Sequence, residues 1–321
     1  MTGKNRTLLF ACTLVWSFAL PADTQLSVMS FNIWGGGLNK QESPQQTLAA
    51  IRAAGADIIG LQETRAESIP CSSNYCPPRG PSITAELAAA LDFHYYEQPA
   101  AGSTTWSNAV LSRYPIVGAT EHGLGVKIDL HGKLMVLFNI HPTDYPYQPY
   151  QLLGIEYGAA PYVSSSAAAV RYARRTRGSS LQLLLKDLAA AVDADLFAVT
   201  GDFNEPSHLD WSQAAVDAGL QPLVVPWPLT QALEANGFID TYRAIWPDVT
   251  ARPGFTWSPL IGTSSGEDHP DRIDFVLVRG NFIVREAVVV GEDPDHADIV
   301  VSPWPSDHRA IVARLSIAAS D

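Results

Sequence analysis

Basic residues are scarce in this chain. Its 321 residues include 21 Lys and Arg against 33 Asp and Glu, so the formal net charge is −12 at pH 7. Without a broad basic field, nothing steers a nucleic acid toward the surface as a whole. Divalent cations bound by acidic groups could still make one cleft locally positive. The composition therefore argues against a general polyanion-binding surface and leaves a cation-dependent site open.

Long hydrophobic runs are also scarce. One such run, Leu8–Leu20, follows two basic residues and precedes small residues that end at Ala22. This order is typical of a secretory signal peptide, and the run is too short to span a bilayer comfortably. No other segment is long and apolar enough to be a membrane helix. We therefore predict a signal peptide over residues 1–22, cleavage after Ala22, and a secreted or periplasmic protein.

Cysteine is the third scarce residue, with three in the whole chain. Removal of the signal peptide leaves Cys71 and Cys76, close together in a proline-rich segment. Two such cysteines in an exported protein predict a small disulfide. The alternative is a metal site, but two thiolates without nearby histidines do not complete a zinc site.

The rest of the composition supports a packed domain with many turns. The chain is 46% hydrophobic and contains 23 Pro and 23 Gly. We predict roughly ten short strands, among them Leu26–Phe31, Ile58–Leu61, His94–Glu97, Asn108–Ser112, Leu134–Ile140, Leu196–Thr200, Ile273–Val278 and Ala310–Leu315. We predict helices at Pro44–Ala54, Ile83–Leu91 and Ser179–Val192. This order predicts stacked sheets faced by helices, an α/β sandwich formed as one domain over residues 23–321.

The stretch TGDFNEPSH, residues 200–208, holds two polar side chains at the end of an apolar strand. Asp202 and Asn204 are two positions apart, so they share a face of the strand. A carboxylate and a carboxamide in this position are typical of a hard-cation site, or of a general base with its orienting residue. The alternative is a plain turn, because Gly, Asp, Asn and Pro are the commonest turn residues.

The same pattern recurs along the chain. Polar residues of ligand type follow or flank apolar runs at Asn32, Glu63, His141, Asp202, Asn204, Asp274, Asp307 and His308. Each position alone has a structural explanation, such as a turn, a surface charge or a satisfied core histidine. Residues at one rim of a sheet converge in space even when they are far apart in sequence. The repetition therefore predicts a single site.

Eight segments resemble the motifs of the endonuclease/exonuclease/phosphatase superfamily, in the family's order. They are SFNIW (30–34), LQE (61–63), NAVLSRYPI (108–116), NIH (139–141), GDFNEP (201–206), FTW (255–257), DRIDFVLV (271–278) and SDHRAI (306–311). The resemblance, to a secreted bacterial-type member, implies a four-layer α-β-β-α sandwich of two stacked mixed sheets. It also implies divalent-metal hydrolysis of phosphoesters.

Physical roles for the residues agree with that resemblance. Glu63 is the predicted metal ligand, with Asn32 and Asp307 beside it, because their oxygens suit Mg²⁺ or its substitute Mn²⁺. Asp202 is the predicted base for the attacking water or a second metal ligand, and Asn204 donates to a phosphoryl oxygen. His141 and His308 stabilise charge or protonate the leaving oxygen. Asp274 orients His308.

The substrate is less clearly marked. Segment 142–180 is rich in tyrosine, and Tyr145 could help to wall a pocket for a ring or a choline-like cation. Arg171, Arg174 and Arg175 could bind a second phosphate. The alternative is a proline-rich surface loop followed by a solvated helix start. His208 and Trp257 complete the predicted substrate contacts.

Three functions follow from these observations. The first is an exported Mg²⁺-dependent phosphodiesterase or phosphatase acting on a small or lipid-head-group phosphoester. The second is a secreted nuclease that degrades extracellular DNA or RNA, and the low lysine content argues against it. The third is a binding protein without turnover, and the intact set of polar residues argues against that. No stable protein partner is inferred.

Overall fold

The computed structural model describes residues 24–67, 78–99, 103–105, 107–260 and 268–317. These residues form two large mixed β-sheets, a small two-stranded sheet and flanking helices. The predicted α/β sandwich is thereby confirmed. The predicted signal peptide, Cys71 and Cys76 lie outside the described residues.

Seven strands of the described residues form the first sheet. They are β1 (Thr24–Asn32), β2 (Ile58–Gln62), β5 (His94–Glu97), β6 (Ala109–Ser112), β13 (Phe282–Gly291), β14 (Ile299–Val300) and β15 (Ala310–Ile317). Their order is β14-β13-β15-β1-β2-β6-β5. Strand β1 runs parallel to β2 and antiparallel to β15.

Six further strands of the described residues form the second sheet. They are β7 (Ile116–Ala119), β8 (Gly125–Leu130), β9 (Lys133–Ile140), β10 (Leu196–Asp202), β11 (Ile239–Asp240) and β12 (Asp274–Arg279). Their order is β11-β12-β10-β9-β8-β7. Strand β10 runs parallel to β9 and antiparallel to β12. Two short strands, β3 (Arg65–Glu67) and β4 (Pro78–Ser82), pair separately.

Helices connect and cover these sheets. The α-helices are α1 (Pro44–Ala54), α2 (Thr84–Leu91), α3 (Gln148–Leu153), α4 (Ser166–Ala190), α5 (Gln213–Asp217), α6 (Pro228–Ala235) and α7 (Thr241–Ile245). Two 3₁₀ segments span Trp34–Lys40 and Ser103–Thr105. In the part of the chain that the structure describes, no helix has the length and apolar character needed to cross a membrane.

Alternation along the strands produces the layers. On β1, Val28 packs between the two sheets, whereas its neighbour Met29 packs with α1 and α2 on the outer face. On β10, Ala198 faces the inter-sheet core and Val199 faces the cluster that contains α4 and α6 residues. Successive strand residues point to opposite faces, so each strand contributes to two cores. The result is a helix-sheet-sheet-helix sandwich.

Polar contacts also join the two sheets near the carboxyl ends of β1, β2, β9 and β10. The Gly201 N–H of β10 donates to Ser30 Oγ of β1 at 2.9 Å. Gly201 has no room for a side chain, because a Cβ there would lie 2.1 Å from the Ile140 carbonyl oxygen. Buried Asn139 donates to the Leu61 carbonyl at 2.9 Å. These bonds fix β1 and β2 against β9 and β10.

The structure contains several strands and helices that were not predicted, and two of the differences have a clear physical reason. Helix α4 begins at Ser166, well before the predicted Ser179, and Ser165 caps it by accepting from the Ala168 N–H. Its first turns are mainly alanine, which packs well but gives a weak hydrophobic pattern. Strand β13 was not predicted, and a register shift between Val284 and Glu286 interrupts its alternation.

Candidate active site

Four predicted site residues lie at the carboxyl ends of parallel strands. Asn32 and Asp202 are the last residues of β1 and β10, while Glu63 and His141 directly follow β2 and β9. The carboxyl ends of parallel strands share one edge of a sheet, which brings each pair together. Hydrogen bonds between the two pairs show that both sheets present this edge on the same side of the sandwich.

Antiparallel neighbours bring two more predicted residues to this edge. Asp274 begins β12 and lies opposite Asp202 in the ladder. His308 precedes β15, which runs antiparallel to β1. The amino end of an antiparallel strand meets the carboxyl end of its partner. Residues distant in sequence therefore meet here because of the topology.

The Asn32 side chain bridges two carboxylates. Its Nδ2 donates to Glu63 Oε1 at 2.9 Å and to Asp202 Oδ2 at 3.1 Å. Its Oδ1 accepts from the Trp34 N–H at 3.1 Å, which fixes the orientation of the amide. Asn32 is fully buried. It thus holds the two acids close together across the sheets.

Asp202 lies between two imidazoles. Its Oδ2 is 3.5 Å from His141 Nε2 and 3.5 Å from His308 Nε2. His141 Nε2 is also 3.9 Å from Glu63 Oε1. Asp202 and both histidines are buried. The Nε2 atoms of the two histidines and the Asp202 carboxylate therefore lie around one small space in the site.

A hydrogen bond with Asp274 sets the orientation of the His308 ring. Its Nδ1 lies 2.9 Å from Asp274 Oδ2, so Nε2 points toward Asp202. The backbone on either side is also held. The Trp304 indole N–H donates to the His308 carbonyl at 2.8 Å, and Ser306 Oγ donates to the Asn32 carbonyl at 2.7 Å. The geometry is that of an imidazole with a carboxylate orienting group.

The GDFN segment forms a turn as well as part of the site. The Asn204 N–H donates to Asp202 Oδ1 at 2.9 Å, an Asx-type turn, and Asn204 Nδ2 donates to the Pro142 carbonyl at 3.0 Å. Asn204 and Glu63 both adopt left-handed backbone, with φ of 50° and 53°. Left-handed non-glycine residues are uncommon and concentrate at functional sites.

The charged side chains of the site shift one another's pKa values in opposite directions. Burial alone would raise the pKa of Asp202, but His308, His141 and the Asn204 N–H lower that pKa to about 2. Burial opposes protonation of His308, yet Asp274 and Asp202 raise its pKa well above the usual value. The pKa of His141 is raised in the same way by Asp202 and Glu63. Asp202 is therefore ionised at neutral pH beside the protonated His308, and both it and Glu63 favour protonation of His141.

The predicted metal ligands offer a hard-oxygen donor set. Glu63 Oε2 is buried and has no hydrogen-bond partner among the described residues. A buried carboxylate oxygen without a partner is costly, so it fits coordination of a cation. Desolvation raises the pKa of Asp307 to about 7; His308 opposes this rise and Glu63 reinforces it. Both observations fit an added positive charge at this edge.

A second donor group lies next to the first. One ligand atom from each of Asp202, Asp274 and His308 lies within 4.8 Å of the others. These three side chains could hold a metal ion, although His308 and Asp274 already satisfy one another. The site can thus accommodate a metal, and the described residues include two adjacent donor sets for it that have no residue in common.

Of two further predicted substrate contacts, Trp257 lies beside the catalytic cluster, and Tyr145 is linked to Trp257 through Tyr157 and Tyr150. The Trp257 ring is centred 4.9 Å from the His308 ring, and its Nε1 donates to Tyr150 Oη at 3.1 Å. Tyr145 is half-buried, and its ring packs edge-on against Tyr157 at 5.4 Å. Both residues belong to an aromatic surface that starts at His308.

The remaining predicted contacts lie elsewhere. Arg171, Arg174 and Arg175 are exposed on α4, away from its buried face. His208 bonds Thr230 Oγ1 at 2.9 Å and Glu234 Oε2 at 2.7 Å beside α6. There it lines a cavity of about 410 Å³, and among the described residues that lining includes none of the catalytic cluster.

Sequence reasoning missed two buried residues that support the site. Arg177 on α4 is 1% exposed and donates to the Asp144 and Pro146 carbonyls, both at 3.2 Å. Its spacing from Ala173 and Ser180 on the buried face could have revealed it. Asn139 accepts from Gln62 Nε2 at 2.7 Å between the sheets. Its position two residues before His141 was the available signal.

Comparison with known proteins places this geometry in a family. The sequence model of the endonuclease/exonuclease/phosphatase family matches residues 29–308. The chain belongs to this family, which confirms the resemblance of its motifs, and it is a phosphoester hydrolase of that kind. It is also similar to the Caenorhabditis elegans uncharacterized protein F14F9.5, with 27% identity over 320 residues, 95% of this chain and 96% of that protein.

Solved structures share the fold at low identity. An endonuclease/exonuclease/phosphatase from Bacteroides vulgatus aligns with a TM-score of 0.53 and 15% identity, covering 92% of this chain and 100% of that chain. One from Beutenbergia cavernae aligns with a TM-score of 0.52 and 22% identity, covering 92% and 72%. D. rerio TDP2, solved with a single-strand DNA product, aligns with a TM-score of 0.50 and 15% identity, covering 91% and 99%.

Proposed function

We propose that this protein is an exported, Mg²⁺-dependent phosphoester hydrolase that acts on a small or lipid-head-group phosphoester. One observation carries the proposal: Asp202 Oδ2 lies 3.5 Å from His141 Nε2 and 3.5 Å from His308 Nε2. A carboxylate that orients the attacking water, beside imidazole donors that face the phosphoryl group, suits in-line displacement at phosphorus.

Each residue has a distinct task in this proposal. Asp202, with a pKa of about 2, stays ionised and accepts a hydrogen bond from the attacking water. Its driving force for full proton transfer is small, so its main effect is to aim the water. His308 Nε2 donates to the phosphoryl or leaving oxygen, and Asp274 keeps Nδ1 protonated. His141 adds a second imidazole donor.

Metal binding is assigned to Glu63 and Asp307; Asn32, which turns Nδ2 rather than Oδ1 toward Glu63 in this structure, is assigned to orienting that carboxylate. Mg²⁺, with Mn²⁺ as a substitute, suits these oxygens because it takes few protein ligands and keeps several waters. When bound, it neutralises charge on the phosphoryl oxygens. The buried Glu63 Oε2, which has no hydrogen-bond partner among the described residues, supports this assignment. Asn32 Nδ2 keeps Glu63 and Asp202 in register at 2.9 and 3.1 Å.

The proposal includes the organisation of the chain. The mature protein is one catalytic domain over residues 23–321, released from a signal peptide over residues 1–22, and Cys71 pairs with Cys76. The basic, apolar and small residues at the amino end support export. Mass spectrometry of periplasmic or secreted protein tests it: two free thiols or an intact leader would contradict it.

A secreted nuclease is the second candidate. The fold match to a TDP2 structure that contains a single-strand DNA product favours it. The net charge of −12 argues against it, because a nucleic acid gains no general attraction to this surface.

A turnover screen with Mg²⁺ separates these functions. The substrates are bis-p-nitrophenyl phosphate, p-nitrophenyl phosphate, sphingomyelin, glycerophosphocholine, duplex DNA and a single-stranded oligonucleotide. We expect hydrolysis of a small or head-group ester that disappears in Asp202→Asn protein purified in parallel, which excludes a contaminant. Faster cleavage of DNA would support the nuclease, and no turnover of any substrate would contradict both enzymes.

A further inference from the structure

Four tyrosines form a continuous aromatic surface beside the catalytic cluster, which we call the tyrosine wall: Tyr145, Tyr147, Tyr150 and Tyr157. The ring centres of Tyr145 and Tyr157 are 5.4 Å apart, those of Tyr157 and Tyr150 are 6.0 Å apart, and those of Tyr150 and Tyr147 are 4.8 Å apart. All three pairs pack edge to face. Tyr147 is buried, and the other three are half-buried.

The tyrosine wall adjoins the residues that handle the phosphate. Tyr150 Oη accepts from Trp257 Nε1 at 3.1 Å, and the Trp257 ring lies 4.9 Å from the His308 ring. Tyr145 follows His141 closely in sequence. A substrate whose phosphoryl group lies at His141 and His308 would therefore place its organic group against the wall.

The tyrosine wall is backed by negative charge. Tyr157 Oη donates to Asp144, Tyr150 Oη donates to Asp268, and Tyr147 Oη donates to Asp271 Oδ2 at 2.7 Å. Three carboxylates thus stand behind three rings, and among the described residues they outnumber the one buried cation near them, Arg177. Aromatic faces attract cations, and nearby carboxylates strengthen that attraction. The same charges repel the phosphates of a nucleic acid strand.

The wall is also held in place from beneath. Arg177 Nη2 donates to the Asp144 and Pro146 carbonyls at 3.2 Å, and its Nη1 donates to Gln148 Oε1. Its guanidinium is 1% exposed, so it supports the loop rather than offering charge at the surface. A loop fixed in this way loses little entropy on binding a ligand.

We propose that the tyrosine wall binds an organic ammonium group, and that the preferred substrate is a phosphoester with a choline-like head group. This inference rests on the proposed hydrolase function for its substrate, but the ammonium site itself does not require turnover. Quaternary ammonium groups bind within about 6 Å of aromatic faces. The shared chemistry, phosphocholine, occurs both in lipids and in soluble diesters.

Two esters of equal shape test the inference in Mg²⁺-loaded protein. One is the p-nitrophenyl diester of choline phosphate, and the other is its neohexyl analogue, in which carbon replaces the charged nitrogen. We expect kcat/KM to favour the choline ester by about tenfold, the size of a partly desolvated cation–π contact. Equal values for the two esters would overturn the inference, as would preferential cleavage of a single-stranded oligonucleotide.

Substitutions locate the preference. Tyr145→Leu and Tyr157→Leu remove aromatic faces, and each should reduce the choline-to-neohexyl ratio several-fold. Tyr157→Phe keeps the face and loses only the hydroxyl, so it should retain most of the ratio. Tyr95→Leu, at a tyrosine that is 49% exposed on β5, is the matched control and should leave the ratio unchanged. If both leucine variants kept the choline-to-neohexyl ratio, and thermal melts showed that they were folded, the assignment would be overturned.

A binding measurement separates this inference from the enzyme proposal. Calorimetric titration of the same protein compares choline with neohexanol without any reaction. Selective choline binding without hydrolysis of any ester would keep the ammonium site and reject the hydrolase. Ester hydrolysis with no selective choline binding would keep the hydrolase and reject the ammonium site. Sphingomyelin vesicles and glycerophosphocholine, assayed side by side, then identify the lipid or the soluble diester as the source of the head group.

Discussion

Among the described residues, a structural and a catalytic cluster of buried charged side chains differ in charge balance. Behind the site, Arg272 bonds Asp240 with two nitrogens at 3.1 and 2.7 Å and Asp210 at 2.9 Å. Arg243 Nε pairs with the other oxygen of Asp210. This structural cluster therefore contains two guanidinium groups and two carboxylates, and its charges cancel.

The catalytic cluster has no such balance. It combines the carboxylates of Glu63, Asp202, Asp274 and Asp307 with only two imidazoles, those of His141 and His308. Paired buried charges satisfy one another and serve the fold, whereas an excess of carboxylates calls for a partner from outside. The comparison therefore indicates that the catalytic cluster, and not the structural cluster, can still bind a metal and a substrate.

The largest expected effect is on the rate, at the catalytic cluster. Asp202→Asn should reduce single-turnover hydrolysis at least about a hundredfold, the low end of general acid–base effects, while the melting temperature stays near that of wild type. Asn serves a turn as well as Asp, so a purely structural role predicts no loss of rate. Asp217→Asn, at an exposed position, is the control. If the hydrolysis rate and the melting temperature both stayed unchanged, the GDFN segment would be a structural turn without a catalytic role.

The structural cluster should respond in the opposite way. Arg272→Met leaves two buried carboxylates short of a partner and should cost about 3–5 kcal/mol of unfolding free energy, with little change in kcat of the folded protein. Denaturant unfolding and kcat at low temperature measure both quantities. Arg314→Met breaks an exposed pair with Glu286 and should cost less than about 1 kcal/mol. Equal costs for the two variants would remove the distinction between them.

A smaller effect separates metal ligand from phosphate contact within the catalytic cluster. Glu63→Ala should raise the Mg²⁺ concentration for half-maximal activity more than His141→Ala does, because Glu63 supplies the coordinating oxygen. Mg²⁺ titrations of both variants provide the comparison. If both shift equally, the two residues have the same relation to the metal.

The smallest effect is the pH dependence of stability in chelated protein. The raised pKa of His308 means that the folded state keeps a proton which the unfolded chain releases above about pH 6.5. This stabilisation is present at lower pH and lost as pH rises through the folded pKa. The melting temperature should therefore fall by a few degrees on the alkaline side of neutrality, and less in His308→Gln. His94→Gln, at an exposed histidine, should keep the wild-type slope; an unchanged slope in His308→Gln would contradict the linkage.

The residues at the ends of strands were predictable because their position follows from a local pattern. Asp202 ends an apolar run, so the sequence indicates both the strand and the edge where the side chain lies. The contact between Trp257 and His308 was not predictable, since it depends on two segments that meet only in the fold. Arg177 is similar: its role depends on a loop that crosses α4 from another part of the chain.

The most direct test of the account is a Mg²⁺ titration of exhaustively chelated protein, following bis-p-nitrophenyl phosphate hydrolysis and the melting temperature together. We predict no turnover without metal, a rate that saturates with Mg²⁺, and a melting temperature that begins to rise over the same concentration range and continues to rise above it, because the cation that completes the catalytic cluster also stabilises the folded state. Mn²⁺ should substitute. Full activity after chelation, or recovery only with Zn²⁺, would contradict a hard-oxygen metal site built on Glu63 and Asp307.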